Sequence, residues 1–175
     1  VRSVGIGVPG SAIGGYVTTD NLPFDNFPFS EALQSRIGVP IRIENDANCA
    51  ACGEWHMGIG KKYRNIVTVT IGTGIGGGVI INNRLCSGNG EFAEIGHMVI
   101  QAKKGEKCVC GRYGCFERYA SVSALIRQAS DAAEKNTASR LYKFLKQNNF
   151  KLNGKQFFDI LDSGCRVCEK VFKEY

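Results

Sequence analysis

The chain has 175 residues, 43% of them hydrophobic, and a formal net charge of +6, which is enough apolar material for one ordinary domain or two small ones. No apolar run reaches the roughly 20 residues that cross a bilayer, and no signal peptide opens the chain, so we expect a soluble, cytoplasmic protein. Because the lysines form short clusters among glutamates, without interleaved aromatic residues, we expect this segment to bind no nucleic acid.

The first third of the chain alternates between apolar runs of strand length and segments with helical periodicity, which predicts an α/β fold. A loop rich in Asn, Pro and Phe separates the first strand from the first helix. The predicted elements are a strand over Val4 to Val8, a helix near Phe29 to Ile37, a strand over Pro40 to Glu44, and a helix from Asn45 to Met57 that Gly58 and Gly60 close.

A hairpin and two helical stretches follow. β-branched residues alternate from Asn65 to Ile71, break off at a glycine cluster and resume at Val79 to Ile81, which predicts a β-hairpin with a glycine-rich end. The periodicity is helical from Glu117 to about Lys146 and again from Phe157 to Tyr175.

Three cysteines and a histidine cluster in the middle of the chain. The pattern Cys108-x-Cys110-x4-Cys115, preceded by His97, supplies three soft sulfurs and one imidazole, the donor set of a closed tetrahedral zinc site. A structural zinc contributes roughly 10–16 kcal/mol of apparent binding free energy, against about 2–5 kcal/mol for a native disulfide. Eight cysteines in 175 residues are also fewer than disulfide scaffolds contain. We therefore favour a metal over a disulfide or unmetallated thiols.

Two other pairs match the C-x-x-C pattern, Cys49 with Cys52 and Cys165 with Cys168. Both lie inside helical patterns, where this spacing puts two small apolar side chains on one face. Neither pair sits at the strand-to-helix turn that a redox site prefers. We therefore expect both pairs to pack in the core.

The segment from Ile71 to Val79 is rich in glycine and matches G-x-G-x-x-G through Gly72, Gly74 and Gly77. A dinucleotide fingerprint needs a helix after the glycines, whereas a strand follows here, and the GK[ST] of a P-loop is missing. Two interpretations stay open. One is a hairpin tip whose N–H groups and Thr73 hydroxyl bind phosphate, and the other is a loose turn.

Asn45 and Asp46 lie where a strand passes into a helix, at the sheet edge where α/β proteins usually bind ligands. The structural interpretation is a helix N-cap, a position that favours both residue types. The functional interpretation makes Asp46 a general base that takes a proton from a hydroxyl, while Asn45 orients the substrate. In isolation these two residues favour the cap.

In their order along the chain, these features resemble the ROK family of sugar kinases and sugar-responsive repressors, within the actin/hexokinase-like superfamily. The resemblance covers about residues 1 to 130, and the combination of E-x-G-H with C-x-C-G-x-x-G-C-x-E is its most specific part. The motifs that carry it are Val8-Pro9-Gly10, Glu44 to Asn48, Gly72 to Gly78, Glu94 to His97 and Cys108 to Glu117.

The resemblance implies a partial α/β, actin/hexokinase-like (ribonuclease H-like) fold with a structural zinc loop. Residues 1–60 would end a small kinase domain, and residues 61–175 would belong to a large sugar-binding domain. It also implies a site in which Asp46 is the catalytic base and His97 contacts both zinc and sugar. The residues that would bind the other sugar hydroxyls are Asn45, Glu94, His97 and Glu117, and the zinc ligands would be His97, Cys108, Cys110 and Cys115.

The same resemblance implies ATP as a co-substrate, a Mg²⁺ ion and a homodimer. The residues implied to bind the ATP phosphates are Gly72, Thr73, Gly74, Gly76 and Gly77. Relatives also carry a D-x-G-G-T phosphate loop before the part that matches here and adenosine-binding elements after it, and this sequence has neither. We therefore expect a fragment that carries the sugar half of the site and does not turn over ATP unaided.

The main prediction is that the protein is an ATP-dependent hexose kinase, with glucose as the expected sugar. The alternative is a ROK repressor that senses sugar and whose DNA-binding domain is missing from this chain. A third prediction is a zinc-stabilised binding module without catalysis. Asp46 and the glycine loop favour the enzyme, because a sensor needs neither.

Overall fold

The computed structural model describes residues 1–19, 22–90 and 92–175 and mixes strands with helices, as the sequence predicts. No helix in these ranges is long and apolar enough to cross a membrane. The strands are β1 (Val4–Val8), β2 (Ser11–Ile13), β3 (Tyr16–Thr18), β4 (Ile41–Asn45), β5 (Ile66–Ile71), β6 (Ile75–Ile81) and β7 (Arg84–Leu85). The helices are α1 (Phe29–Ile37), α2 (Asp46–His56), α3 (Glu117–Ala120), α4 (Val122–Glu134), α5 (Arg140–Gln147), α6 (Gly154–Asp162) and α7 (Arg166–Glu174), with 3₁₀ helices at Ile59–Lys62 and Ile95–His97.

The chain forms two compact units. The first contains Val1–Thr70 and Gly76–Ile95, and the second contains Ile71–Ile75 and Gly96–Tyr175. The division predicted at residue 60 refers to the domains of a whole kinase and stays a prediction.

The first unit contains a pair of parallel strands. β1 and β4 run side by side, with Val8 opposite Asn45, so both strands end at the same edge. The helix α2 begins directly after β4. This edge therefore brings together the end of β1, the end of β4 and the first turn of α2.

The hairpin of β2 and β3 lies in the first unit and was not predicted. Its two turn residues, Gly14 and Gly15, both have a positive φ, which two-residue hairpin turns of this kind require. The Gly-Gly pair between apolar residues is the signal that the sequence analysis overlooked. Positions 20 and 21 of the predicted loop lie outside the described residues.

The strand β6 begins at Ile75 and runs through the glycine cluster, so the prediction that it resumes at Val79 was wrong. The reason is packing against α2. A Cβ on Gly76 would stand 2.7 Å from the Cβ of Ala47, and one on Gly78 would collide with Ala51. Glycine at these positions lets the helix lie close on the strand.

The second unit has a helical core. The predicted helical stretch from residue 117 is broken into three helices because Ser121 and Ser139 each accept a backbone N–H as N-caps of α4 and α5. A capping box between Asn153 and Gln156 begins α6. The buried residues of this core are Leu125, Ala129, Ala133, Leu141, Leu145, Phe157, Ile160, Cys165, Cys168 and Val171.

The two C-x-x-C pairs differ in burial. Cys165 and Cys168 belong to the core of the second unit, as predicted, but Cys165 is the N-cap of α7 and not part of a helix. Cys49 is exposed and Cys52 half-buried, so the prediction that this pair packs in the core was wrong. α2 turns its fully buried side, with Ala47 and Ala51, toward the glycines of β6 and leaves Cys49 on a more open side.

Candidate functional site

Asn45 is the N-cap of α2. Its Oδ1 accepts hydrogen bonds from the backbone N–H groups of Ala47 (2.9 Å) and Asn48 (3.1 Å), and its Nδ2 donates to the carbonyl of Gly10 (3.0 Å). The residue is only 9% exposed. The cap interpretation is thus confirmed for Asn45, whose amide keeps one hydrogen without an acceptor among the described residues.

Asp46 is the first residue of α2 and is exposed. Its Oδ1 accepts the N–H of Ala47 at 2.9 Å, and no described residue donates to its Oδ2. The start of a helix stabilises a negative charge. Because Asn45 caps the helix, the Asp46 carboxylate is left with an open oxygen that can accept a proton from a hydroxyl.

The turn between β5 and β6 belongs to the second unit and is held by other residues of that unit. The N–H of Val122 donates to the carbonyl of Gly72 (2.9 Å), and the Ser123 hydroxyl donates to the carbonyl of Thr73 (2.7 Å). These bonds argue against a loose turn. None of residues 72–78 has a positive φ, so the turn is not an anion nest of alternating left- and right-handed residues. Its role in phosphate binding stays a prediction.

Glu117, the first residue of α3, is tied to the same turn. Its Oε2 accepts the N–H of Ile75 at 2.8 Å. A Cβ on Gly74 would collide with this carboxylate, which explains a glycine there. One oxygen of Glu117 is therefore engaged with the backbone, and Oε1 is the atom that can face a ligand.

The four predicted metal ligands converge in the second unit. One donor atom from each of His97, Cys108, Cys110 and Cys115 lies within 4.8 Å of the other three. The Sγ of Cys108 is 3.5 Å from His97 Nδ1, and the Sγ atoms of Cys110 and Cys115 are 3.6 Å apart. Bonds of about 2.3 Å in a tetrahedron give edges of roughly 3.8 Å. The donor set and its spacing therefore fit one zinc-sized ion.

The backbone around these ligands is folded by glycines. Gly111 and Gly114 have positive φ values of +83° and +79°, a conformation that side chains other than glycine rarely adopt. Cys115 also pairs with Val99 across the loop in an isolated β-bridge. Glycine at these two positions therefore permits the tight turns of the ligand loop.

The loop is also fastened to helices α3 and α4. The carboxylate of Glu106 forms an ion pair with Arg127 (3.0 Å). The backbone N–H of Glu106 donates a hydrogen bond to the hydroxyl of Tyr119 (2.8 Å). These contacts hold the ligand loop against α4.

The pKa values of the thiols in this cluster differ. Burial, with the neighbouring thiols of Cys110 and Cys108, raises the pKa of Cys115 to about 12. Burial also acts to raise the pKa of Cys110, but hydrogen bonds from the backbone and side chain of Arg112 outweigh it and lower that pKa to about 6. Because metal ligation needs thiolates, binding of an ion must release the remaining protons.

His97 presents its two ring nitrogens to different surroundings. Nδ1 faces Cys108 within the ligand cluster, and Nε2 has no hydrogen-bond partner among the described residues. A metal on Nδ1 would fix the ring orientation and make Nε2 the group that faces a ligand.

The predicted site residues divide between the two units. The structure joins the four metal ligands, ties Glu117 to the glycine turn, and places Asp46 beside the capping Asn45. Glu94 is half-buried. Those in the first unit are Asn45, Asp46, Gly76, Gly77 and Glu94, and those in the second are Gly72, Thr73, Gly74, His97, Cys108, Cys110, Cys115 and Glu117.

Sequence reasoning missed the residues that support these groups. Glu44 accepts hydrogen bonds from the Asn48 amide and from the backbone N–H of Asn45, both at 2.9 Å. Ser123 holds Thr73. A serine at the start of an apolar periodic stretch could have identified the cap at Ser121, but nothing local in the sequence indicates the contact made by Ser123.

Comparison with known proteins places the chain in a family. The ROK family model matches residues 1–173. A glucokinase of Streptomyces coelicolor is 39% identical over 158 residues, which are 88% of this chain and 49% of that protein. A xylose repressor of Bacillus subtilis is 43% identical over 120 residues, 68% of this chain and 31% of the repressor.

A solved structure is similar over nearly the whole chain. The ROK glucokinase of Streptomyces griseus, crystallised with glucose and AMPPNP, matches with a TM-score of 0.85 and 34% identity, over 99% of this chain and 57% of the glucokinase. The chain spans about half the length of the curated glucokinases it matches. With a family model that covers almost every residue, the chain belongs to the ROK family.

Proposed function

We propose that the chain carries the sugar-binding, phosphate-accepting half of an ATP-dependent hexose kinase, with glucose as the first substrate to test. One observation carries the proposal. Asn45 caps α2, which leaves Asp46 exposed at the helix start with an open carboxylate oxygen. The similarity to glucokinases supports it, since a related structure was crystallised with glucose and an ATP analogue.

In this proposal Asp46 is the general base. It accepts the proton of one sugar hydroxyl while that oxygen attacks the γ-phosphate of ATP in line. Asn45 contributes its remaining amide hydrogen and Glu117 its Oε1 to other hydroxyls. Glu94 and the Nε2 of His97 complete the proposed set of sugar-binding groups.

The glycine turn is the proposed phosphate-binding element. Gly72, Thr73 and Gly74 form the turn itself, whose backbone is fixed by Val122 and Ser123. Gly76 and Gly77 continue it into β6. A bound Mg²⁺ would offset phosphate charge during transfer.

The metal proposed at the cluster is zinc, in a structural role. Three thiolates and one imidazole leave no open coordination position, which is typical of structural zinc. The ion would hold the loop and orient His97 toward the sugar. In the repressor-like alternative, which the 43% identity to a xylose repressor supports, the same groups bind sugar without phosphoryl transfer.

The test uses a protein of the glucokinases' full length that contains this chain. We expect Asp46→Asn to lower kcat for glucose phosphorylation about 10²- to 10⁴-fold, with a smaller effect on glucose binding. Asp131→Asn, on the exposed side of α4, is the matched control and should leave kcat unchanged. Unchanged turnover in Asp46→Asn would remove Asp46 from the mechanism. Sugar binding without any phosphorylation by the unmutated protein would favour the sensor.

A further inference from the structure

Cys165 and Cys168 stand at the start of α7. Cys165 is the N-cap and Cys168 is the third helical residue. An N-cap side chain and the side chain of the third helical residue lie next to each other at a helix start. Cys165 and Cys168 are 3% and 0% exposed. The pair therefore has the arrangement of a C-x-x-C motif at a helix N-terminus.

Cys165 lies at the start of α7, where the N–H groups of the first helical turn have no carbonyl partner within the helix. Burial acts to raise the pKa of Cys165, but the nearby backbone N–H groups of Cys168, Leu141 and Val167 outweigh burial, so this pKa is lowered. Burial, together with Cys165, raises the pKa of Cys168 to about 12. One sulfur is thus prepared to ionise and the other to stay protonated.

A cavity borders Cys165. It has a volume of about 530 Å³, lies between the starts of α5 and α7, and is lined by Arg140, Arg166, Gly164 and Cys165 among others. Two helix N-termini and two arginines make this cavity electropositive. A small anionic molecule is the reactant that such a cavity favours.

We propose that Cys165 and Cys168 form a reversible dithiol–disulfide pair that exchanges with a low-molecular-weight anionic disulfide of the glutathione disulfide class. The Cys165 thiolate attacks one sulfur of the reagent, forming a mixed disulfide and releasing one thiolate. Cys168 then gives its proton to the released thiolate, and its sulfur attacks the sulfur of Cys165. The bond between Cys165 and the reagent breaks and the second half of the reagent leaves as a thiolate, so the two cysteines lose two electrons and the reagent is reduced to one thiol and one thiolate.

The chain contains its own comparison pair. Cys49 and Cys52 have the same spacing, but both lie inside α2 and not at its start. Burial, followed by the charge of Glu44, raises the pKa of both thiols. The proposed chemistry therefore predicts that they react slowly despite the greater exposure of Cys49.

The test treats the full 175-residue chain with glutathione disulfide, blocks free thiols with N-ethylmaleimide, and quantifies each cysteine peptide by mass spectrometry. We expect an intramolecular disulfide between Cys165 and Cys168 at least about tenfold faster than between Cys49 and Cys52. The two pairs should react equally in guanidinium chloride. Folded chain whose Cys165 and Cys168 stay alkylated, or whose two pairs react at one rate, overturns the proposal.

Variants assign the roles within the pair. Cys168→Ser should accumulate a glutathione adduct on Cys165, and Cys165→Ser should abolish the reaction at this site. If either variant fails to fold, the comparison of the two pairs in the unmutated chain still decides. An adduct on Cys168 in place of Cys165 would contradict the assigned order of attack.

The charge of the cavity is tested separately. Arg140→Gln and Arg166→Gln should slow the reaction with glutathione disulfide but not with neutral hydroxyethyl disulfide. The exposed Lys151→Gln is the control and should change neither rate. Equal effects of the arginine variants on both reagents would contradict selection for an anionic disulfide.

Discussion

Replacing Gly76 with alanine should show that this glycine is required for packing. A Cβ at this position would stand 2.7 Å from the Cβ of Ala47 and 2.8 Å from the Oγ1 of Thr70. Since real Cβ atoms keep a larger distance from their neighbours, α2 and β6 must separate to admit it. Gly72 provides the opposite case, because a Cβ there meets no atom within 4 Å and its φ is not positive.

The size of the effect follows from overpacking, which costs about 1–3 kcal/mol. For a chain of this length, each kcal/mol shifts Tm by about 2–4 °C, so Gly76→Ala should lower Tm by about 2–12 °C. Gly72→Ala restricts the unfolded chain and should stabilise the fold by about 0.4–1 kcal/mol. If Gly72 contacts phosphate, the same variant in a full-length kinase should weaken ATP binding.

Thermal unfolding followed by circular dichroism measures the first effect, and calorimetric titration with ATP measures the second. A Tm of Gly76→Ala within about 1 °C of the unmutated protein would refute the packing argument. A lowered Tm of Gly72→Ala would show that the turn does not tolerate a Cβ at this position, although no atom lies within 4 Å of it.

Three further changes test the helix caps and the metal loop. Asn45→Ala removes the cap of α2 and the bond to Gly10, and should cost about 2–3 kcal/mol in urea unfolding. Asn153→Ala removes the capping box of α6 and should cost about 1 kcal/mol, which the same urea midpoint measures. Cys110→Ser or a chelator should remove bound zinc, seen by metal analysis, and expose the loop to proteolysis.

The first strand and the first helix were predicted closely. β1 has the predicted bounds because its residues alternate, and α1 ends as predicted before Gly38, whose positive φ is typical of a helix end. β6 was misjudged because glycine is normally a break signal. Its close approach to α2 is a tertiary contact, which overrides the local preference.

The convergence of the candidate metal ligands was predictable because ligand chemistry is largely local. Cys108, Cys110 and Cys115 lie within eight positions, so spacing alone brings their sulfurs near each other. The supports of the glycine turn are different. Ser123 and Thr73 are 50 residues apart, and Glu117 and Ile75 are 42 apart, so only the fold brings these groups together.

The two C-x-x-C pairs show why a motif needs its position as well as its spacing. Inside α2, the backbone N–H groups next to Cys49 and Cys52 are used within the helix, and nearby Glu44 opposes ionisation. At the start of α7, Cys165 lies beside N–H groups that have no carbonyl partner within the helix, and its pKa is lowered. A shift of a motif by one turn relative to the helix start thus changes which form of a thiol is stabilised. Both pairs have the same spacing in the sequence. The position of Cys165 at the N-cap of α7 makes the thiols of the two pairs differ in pKa.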